Sequence, residues 1–541
     1  MEFTYIKPNH TVLFQSVLDV MGVKSPQNYI PIYNRFFSLT PNNYNTITFN
    51  HTRSLYEVKN KVTTNIFNCT IQTGKVQEEQ DVYFKYSPLL DPLKYIVGRY
   101  KEYDIGCLPQ YTSLQEHAKC RDSNNSAYID GMFNYLSNQL LHHYGFFHGL
   151  EFYGSFIAMK NTFECDISDD IEYIAQSDFF NQHNDTLFHI NIPITKQSPK
   201  RSRGNKPILD IGEVIDIPYD TMDPLKISVP IETELELLYL NDTLSTEETS
   251  LNSECSSVSS KTEESTSDSS STSGYSTSGY STIVEEDVLA TLPNFPVHVI
   301  AMEKCVETLD DYLIHHKETI GEDEWRSILC QVVMSLLVYQ RTFHLTHNDL
   351  HTNNIMYTHT HHTYLVYTWN GTTFKVPTFG KIYKIIDFGR AIYRFRGRIL
   401  CSDSFHPKGD AASQYNCEPY LNKHKPILEP NFSFDLCRLG CSLFDVISED
   451  IDYTSVKDTD NTHRIILEWC QDDKGRNILV KQNGEERYPD FKLYKMISRT
   501  VHNRTPEMEI KKSYFSTFIT QEPLDTTLPT IHVNDFSSYI N

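Results

Sequence analysis

The run HLTHNDLHTNNIMY, residues 344–357, gathers His347, Asp349, His351 and Asn354 into one polar loop. An apolar helical pattern precedes it and the strand-like NIMY follows. An ordinary surface loop has no need of that composition. Downstream, KIYKIIDFGRAIY is an apolar strand that ends in Asp387-Phe388-Gly389. A carboxylate in a polar loop, an amide five residues on and a second carboxylate at a strand end suit the handling of a hard cation and a phosphoryl group. Asp349 would accept a hydroxyl proton, while Asn354 and Asp387 would hold Mg2+ on the phosphates of ATP.

Such side chains need rigid supports. Ahead of the loop, DEWRSILCQVVMSLLVYQRTFH has the spacing of a long amphipathic helix, and ETLDDYLIHH that of a shorter one. Earlier, DVYFKYSPLL reads as a strand. AYIDGMFNYLSNQLLHHYG follows with Ile129, Phe133, Leu136, Leu140 and Leu141 at helical spacing, and LEFYGSFIAM and FPVHVIAMEK are further strands. A strand-rich half feeding a helix-rich half gives an α+β architecture in two lobes. Between Asp349 and Asp387, two β-rich runs flank Asn370-Gly371, a type I′ hairpin signal. His359, His361 and His362 beside it read as a solvated turn.

Residues 243–282, nearly bare of apolar side chains and closing on a TSGYS repeat, cannot bury enough surface to offset their ordering entropy and are expected to be disordered. The organisation expected is an N-terminal extension with the first strands (1–80), a strand–helix–strand region (81–160), an insert (161–242), the disordered segment (243–282), a further strand and hinge (283–309), a helical lobe (310–520) and a C-terminal tail (521–541).

At the loop and the Asp-Phe-Gly strand end the chain resembles the protein kinase superfamily, whose catalytic loop and DFG motif match there. VIAMEKCVETLDDYL resembles that family's fifth strand, hinge and following helix, with Met302 as gatekeeper and Glu303 to Cys305 as hinge. FSFDLCRLGCSLFDVI resembles the helix whose Asp, here Asp435, anchors the catalytic loop's backbone. The resemblance covers roughly residues 80–160 and 293–450. It implies a two-lobed kinase fold, ATP and Mg2+ as cofactors, Asp349 as base, Asn354 and Asp387 as metal ligands, and Lys85 in VYFKY as the phosphate lysine. The Asn-, Thr- and Tyr-rich composition resembles kinases of large DNA viruses.

The chain also departs from the family pattern. The helix partner of Lys85 should be Glu, and residues 126–145 contain none. Asp130, Asn134 and Asn138 line one face at i, i+4 and i+8, so either Asp130 takes the ion pair or an Asn replaces the charge. No G-x-G-x-x-G precedes Lys85. Asn348 stands where the family has Arg, so the clamp on a phosphorylated activation segment is missing. His351 stands where Lys is common, as in haspin-type kinases and many small-molecule phosphotransferases. The implied activity is phosphoryl transfer to Ser or Thr of protein substrates. A catalytically impaired kinase-fold scaffold and a choline- or aminoglycoside-kinase-type phosphotransferase are the alternatives.

Composition narrows the rest. The 541 residues carry 39% hydrophobic residues, 34 Tyr and 30 Phe, enough for a substantial core. Much of the formal charge of -22 sits in 241–290, where ten acidic residues face Lys261 alone, so nucleic acid is not expected as a partner. No apolar run has the length of a membrane span and the N-terminus has no signal-like core, so no membrane association is expected. Twelve scattered Cys, including Cys437 and Cys441 four apart on a helix, read as reduced thiols of an intracellular, cytoplasmic protein. PKRSRGNK at 199–206 reads as a solvated basic loop rather than a nuclear address.

Overall fold

The structure is a computed structural model that describes residues 3–112, 115–190, 288–316, 318–447, 461–481, 484–489, 491–523, 525 and 527–540. The segment 243–282, the basic stretch 199–206 and most of the expected insert lie outside the described residues. One compact unit comprises Met1–Ile211, Val288–Asn422 and Ile427–Asn541. A second, Gly212–Asp287 with Lys423–Pro426, lies almost wholly outside the described residues. The first unit is mixed α+β.

Its larger sheet has seven strands. In chain order the labelled ones are β1 (Val23–Gln27), β2 (Arg53–Lys61), β3 (Ile66–Thr73), β4 (Val76–Pro88), β5 (Phe152–Asp166) and β6 (Leu289–Glu303). They lie side by side as β1-β5-β6-β4-β3-β2, all antiparallel, and the two-residue strand His189–Ile190 adds to β6. β6 is central, which is why FPVHVIAM is apolar almost throughout: Phe295–Met302 is buried on both faces. Lys85 on β4 pairs with Ile300, and Tyr83 with Met302, so these four side chains share one face. β5 runs past residue 160 to Asp166, with Phe163 opposite Leu292. The insert expected to start at 161 therefore begins beyond a continuing strand, because ladder pairing carries on through the polar letters KNT.

Helix α1 (Ser126–Tyr144) packs beside the sheet. Asn125 caps it by accepting from the Ala127 N–H, and Gly145, at φ 63°, closes it. Every residue from Ala127 to Leu140 is buried, including the polar row Asp130, Asn134 and Asn138. Gly131 permits the close approach. A Cβ there would lie 2.3 Å from Cε1 of His298 on β6.

The remainder is mainly helical. Helix α2 (Glu322–Phe343) begins with three acidic residues, favourable at a helix N-terminus. It ends where His344 turns left-handed at φ 50° and releases the chain into the polar loop. β7 (Ile355–His359) pairs antiparallel with β10 (Lys381–Ile385), setting the exit of that loop beside the approach to Asp387. Between them β8 (Tyr364–Trp369) and β9 (Thr372–Pro377) form the expected hairpin, with positive φ at both Asn370 and Gly371 as a type I′ turn requires. Helices α3 (Phe434–Ile447) and α4 (Lys492–Thr500) pack beneath.

Within the stretch expected to be a tail, 521–541, residues 530–540 are instead tied to the fold. β11 (Thr530–His532) adds to β8 in parallel, and Ile531, Val533 and Phe536 are buried. A strand of three residues is too short to show a period, so the sequence carries no mark of it. Among the described residues no helix is long and apolar enough to cross a membrane, the cysteines are free, and no group of three or more His, Cys, Asp or Glu is placed to hold a metal.

Candidate active site

The polar loop is held by its backbone. Asp435, in the first turn of α3 and fully buried, accepts from the N–H of His347 at 2.9 Å and of Asn348 at 2.8 Å. Asn348 takes a left-handed conformation at φ 64°, a region Asn tolerates better than most side chains. Its side chain donates to the carbonyls of Thr346 and Arg390 and accepts from the Tyr415 hydroxyl at 2.7 Å. A neutral amide thus ties the loop to the segment after Asp387. The buried His347 ring bonds the Ile386 carbonyl at 2.9 Å and lies 5.2 Å from the Phe388 ring.

Within the loop the side chains order one another. Asn354 donates through Nδ2 to the Asp349 carbonyl at 2.9 Å and to His351 Nε2 at 3.0 Å. Its amide oxygen has no protein hydrogen bond among the described residues. Burial lowers the His351 pKa to about 4, against the pull of Asp349. The ring is therefore neutral at ordinary pH, with Nε2 accepting and the proton on Nδ1. His351 thus brings no positive charge to the loop; it holds Asn354. The Asp349 carboxylate is half-buried, and Oδ1 accepts from the Tyr494 hydroxyl of α4 at 2.8 Å.

Lys85 stands between two carboxylates, 2.7 Å from Asp130 and 2.9 Å from Asp387. Asp130, at 1% exposure, also accepts from Asn134 and from the Phe388 N–H at 2.8 Å. Burial raises the Asp130 pKa and Lys85 opposes it. For Lys85 itself burial would favour the neutral amine, but Asp130 and Asp387 outweigh it and the pKa rises. Burial pushes Asp387 up too, yet Lys85 prevails and holds it well below the usual carboxylate value. Asp387 sits at φ 61° with its side chain 46% exposed, while Phe388 is buried 4.3 Å from Phe133 of α1. Of the two options for the partner of Lys85, the structure takes Asp130, with Asn134 as its support.

At the end of β6, Met302 is buried and Glu303 accepts from Lys384 Nζ at 2.5 Å and from the Glu151 N–H at 2.8 Å. Cys305 is half-buried, its thiol pushed up to about 12 by burial. The structure therefore joins Lys85, Asp130, Asp387 and Phe388 to the loop of Asp349, His351 and Asn354 through Ile386, whose carbonyl meets His347 and whose N–H meets the Asn354 carbonyl. Glu303 links to the same strand through Lys384. The hairpin between β2 and β3, residues 62–65, has no glycine, and the Asn65 carbonyl accepts from the Phe84 N–H beside Lys85. Tyr494, Arg438 and Arg390, which the sequence does not mark, act on Asp349, the first by a hydrogen bond and the two guanidiniums by charge. Tyr494 lies 145 residues from it in a stretch without compositional signal.

The donor set fits Mg2+. Asn354 is pinned through its nitrogen and keeps its oxygen, and Asp387 is half-exposed and ionised. Mg2+ takes one or two such oxygens and completes its shell with phosphate and water. No protein-family model matches the chain. A stretch of 63 residues is 41% identical to the serine/threonine-protein kinase haspin of Mus musculus. That stretch is 12% of this chain and spans only 8% of the length of that relative, a local likeness to a kinase.

Proposed function

We propose that the chain is a two-lobed protein kinase that transfers the γ-phosphoryl group of Mg·ATP to Ser or Thr hydroxyls of protein substrates. The observation that carries this reading is Lys85 held between Asp130 and Asp387, with Phe388 locking that pair to the loop of Asp349 and Asn354. When bound, Mg2+ neutralises the charge that develops on the transferred phosphoryl group. Asn354 and Asp387 bind the metal, Lys85 binds the phosphates, and Met302 with Glu303–Cys305 receives the base of the nucleotide. Asp349 accepts the acceptor hydroxyl's proton. The helix-borne carboxylate that a scaffold would lack is supplied by Asp130. The folded segment after Arg390, tied down by Asn348, Tyr415 and Arg499, favours a polypeptide acceptor over a small molecule.

The test is purified full chain with radiolabelled Mg·ATP, alone and with dephosphorylated casein, beside an Asp387→Asn variant. Label on Ser or Thr that depends on Mg2+ and vanishes in the variant is the expected result. No transfer, or equal transfer by the variant, overturns the reading.

A further inference from the structure

Asp349 is not left to rotate. Its Oδ1 accepts from the Tyr494 hydroxyl at 2.8 Å, and that hydroxyl lies 3.0 Å from Nε of Arg438. A guanidinium nitrogen can only donate, so the hydroxyl accepts from Arg438 and its single proton must point at Asp349. The direction of the pair is therefore set. Arg438 is on α3, three residues after Asp435, so one helix steadies the loop's backbone and, through Tyr494, the carboxylate. The tyrosine ring is clamped as well. Phe491 stacks on it at 5.4 Å, and the guanidiniums of Arg438 and Arg390 lie 5.3 and 5.6 Å from its centre. Burial lifts the Tyr494 pKa to about 12, so the donor keeps its proton across the working range of pH. Asp349 Oδ2 has no protein hydrogen bond among the described residues.

We propose that Tyr494 is a positioning residue for proton transfer at Asp349, occupying Oδ1 so that Oδ2 is presented to the acceptor hydroxyl. This rests on the kinase reading of the site. In the step it serves, the acceptor's O–H proton passes to Oδ2, the acceptor oxygen bonds the γ-phosphorus, and the bond from that phosphorus to the β-bridging oxygen breaks to release ADP. A carboxylate with one oxygen fixed spends less of its time misdirected, so the benefit falls on turnover and not on binding.

The experiment uses the full chain with Mg·ATP and dephosphorylated casein. Tyr494→Phe keeps the ring and its stacking. It is expected to lower kcat roughly ten- to hundredfold, the weight of one hydrogen bond to a charged group. The KM for Mg·ATP and for casein is expected to stay as it was, while the unfolding midpoint falls modestly because Asp349 and buried Arg438 each lose a partner. In an Asp349→Asn background the same substitution should change kcat little further, because the group it positions has gone. A purely structural tyrosine would instead lower kcat by the same factor in both backgrounds. A Tyr494→Phe chain as fast as the parent, or faster, overturns the proposal and makes the hydroxyl idle or obstructive. Phosphate on Tyr494 in the parent chain, read by mass spectrometry, also overturns it by making the hydroxyl an acceptor. If the parent chain transfers no phosphate at all, the kinase reading falls and takes this proposal with it, whereas failure of the proposal alone leaves the parent active.

Discussion

A lysine shared by two carboxylates separates their roles. Asp130 is buried and hydrogen-bonded on both oxygens, so its charge serves to aim Lys85, while half-exposed Asp387 can turn to other ligands. Removing either member of the buried Lys85–Asp130 pair strands the other. Asp130→Ala is therefore expected to cost phosphoryl transfer about as much as Lys85→Ala, with the double variant little worse; full activity in Asp130→Ala would dismiss the pair. Asp349 sits apart from this triangle and touches Tyr494 and the loop. Asp349→Asn is expected to lower kcat by roughly 10²–10⁴ while nucleotide-dependent thermal stabilisation persists. A parallel loss of both would make Asp349 structural.

At the scale of elements, the meeting of α1 with β6 decides where Asp130 stands. It depends on Gly131, over which the His298 ring lies while bonding the Ala127 carbonyl at 2.8 Å. Gly131→Ala forces that ring away. It is expected to cost about 1–3 kcal/mol in a urea titration and to reduce transfer, since Asp130 is the adjacent residue. His298 and His148 are fully buried, and burial lowers each pKa to about 4. Unfolded, each titrates near 6.5, so between about 6.5 and 4 the unfolded chain binds protons that the folded chain refuses. Stability is then complete above that window and declines as the pH falls through it, by up to about 1.4 kcal/mol per pH unit for each histidine. Replacing His148, which bridges the Tyr383 carbonyl and the Tyr367 hydroxyl, by Gln should flatten that slope in unfolding titrations at pH 7, 6 and 5. These elements were largely legible. The spacing of Ile129, Phe133, Leu136 and Leu140 announced α1, Asn370-Gly371 announced the hairpin, and Asp349, Asn354 and Asp387 stood out as polar letters between apolar runs. Asp130 was visible only as one option, because helical spacing sets a face and not a partner. Tyr494 was invisible, one Tyr among 34, made relevant by a fold that brings α4 under the loop.

For the whole molecule, regulation follows from how the segment after Asp387 is held. Asn348 fastens it to the loop through Arg390 and Tyr415, Arg499 and Ser498 of α4 bond the Ser413 and Gln414 carbonyls, and Ser402 is buried and bonds the Ser404 N–H. These ties need no phosphate, so phosphatase-treated chain is expected to keep most of its kcat. A large loss restored by phosphorylating 390–420 would refute this. Residues 530–540 act at the same scale. Beyond β11, the Tyr539 N–H bonds the Thr342 carbonyl at the end of α2, and the Arg396 N–H bonds the Tyr539 carbonyl. This arrangement sets a timetable for the nascent chain. Thr368 on β8 waits for His532, 164 residues later. At roughly 5–20 residues per second that wait lasts on the order of ten seconds or more. Throughout it β8 presents an unpaired edge, the kind that recruits strands from other chains. Synthesis of this protein is thus most exposed to misassembly on the hairpin between Asp349 and Asp387, and it is released from that hazard only when the last strand of the sheet emerges.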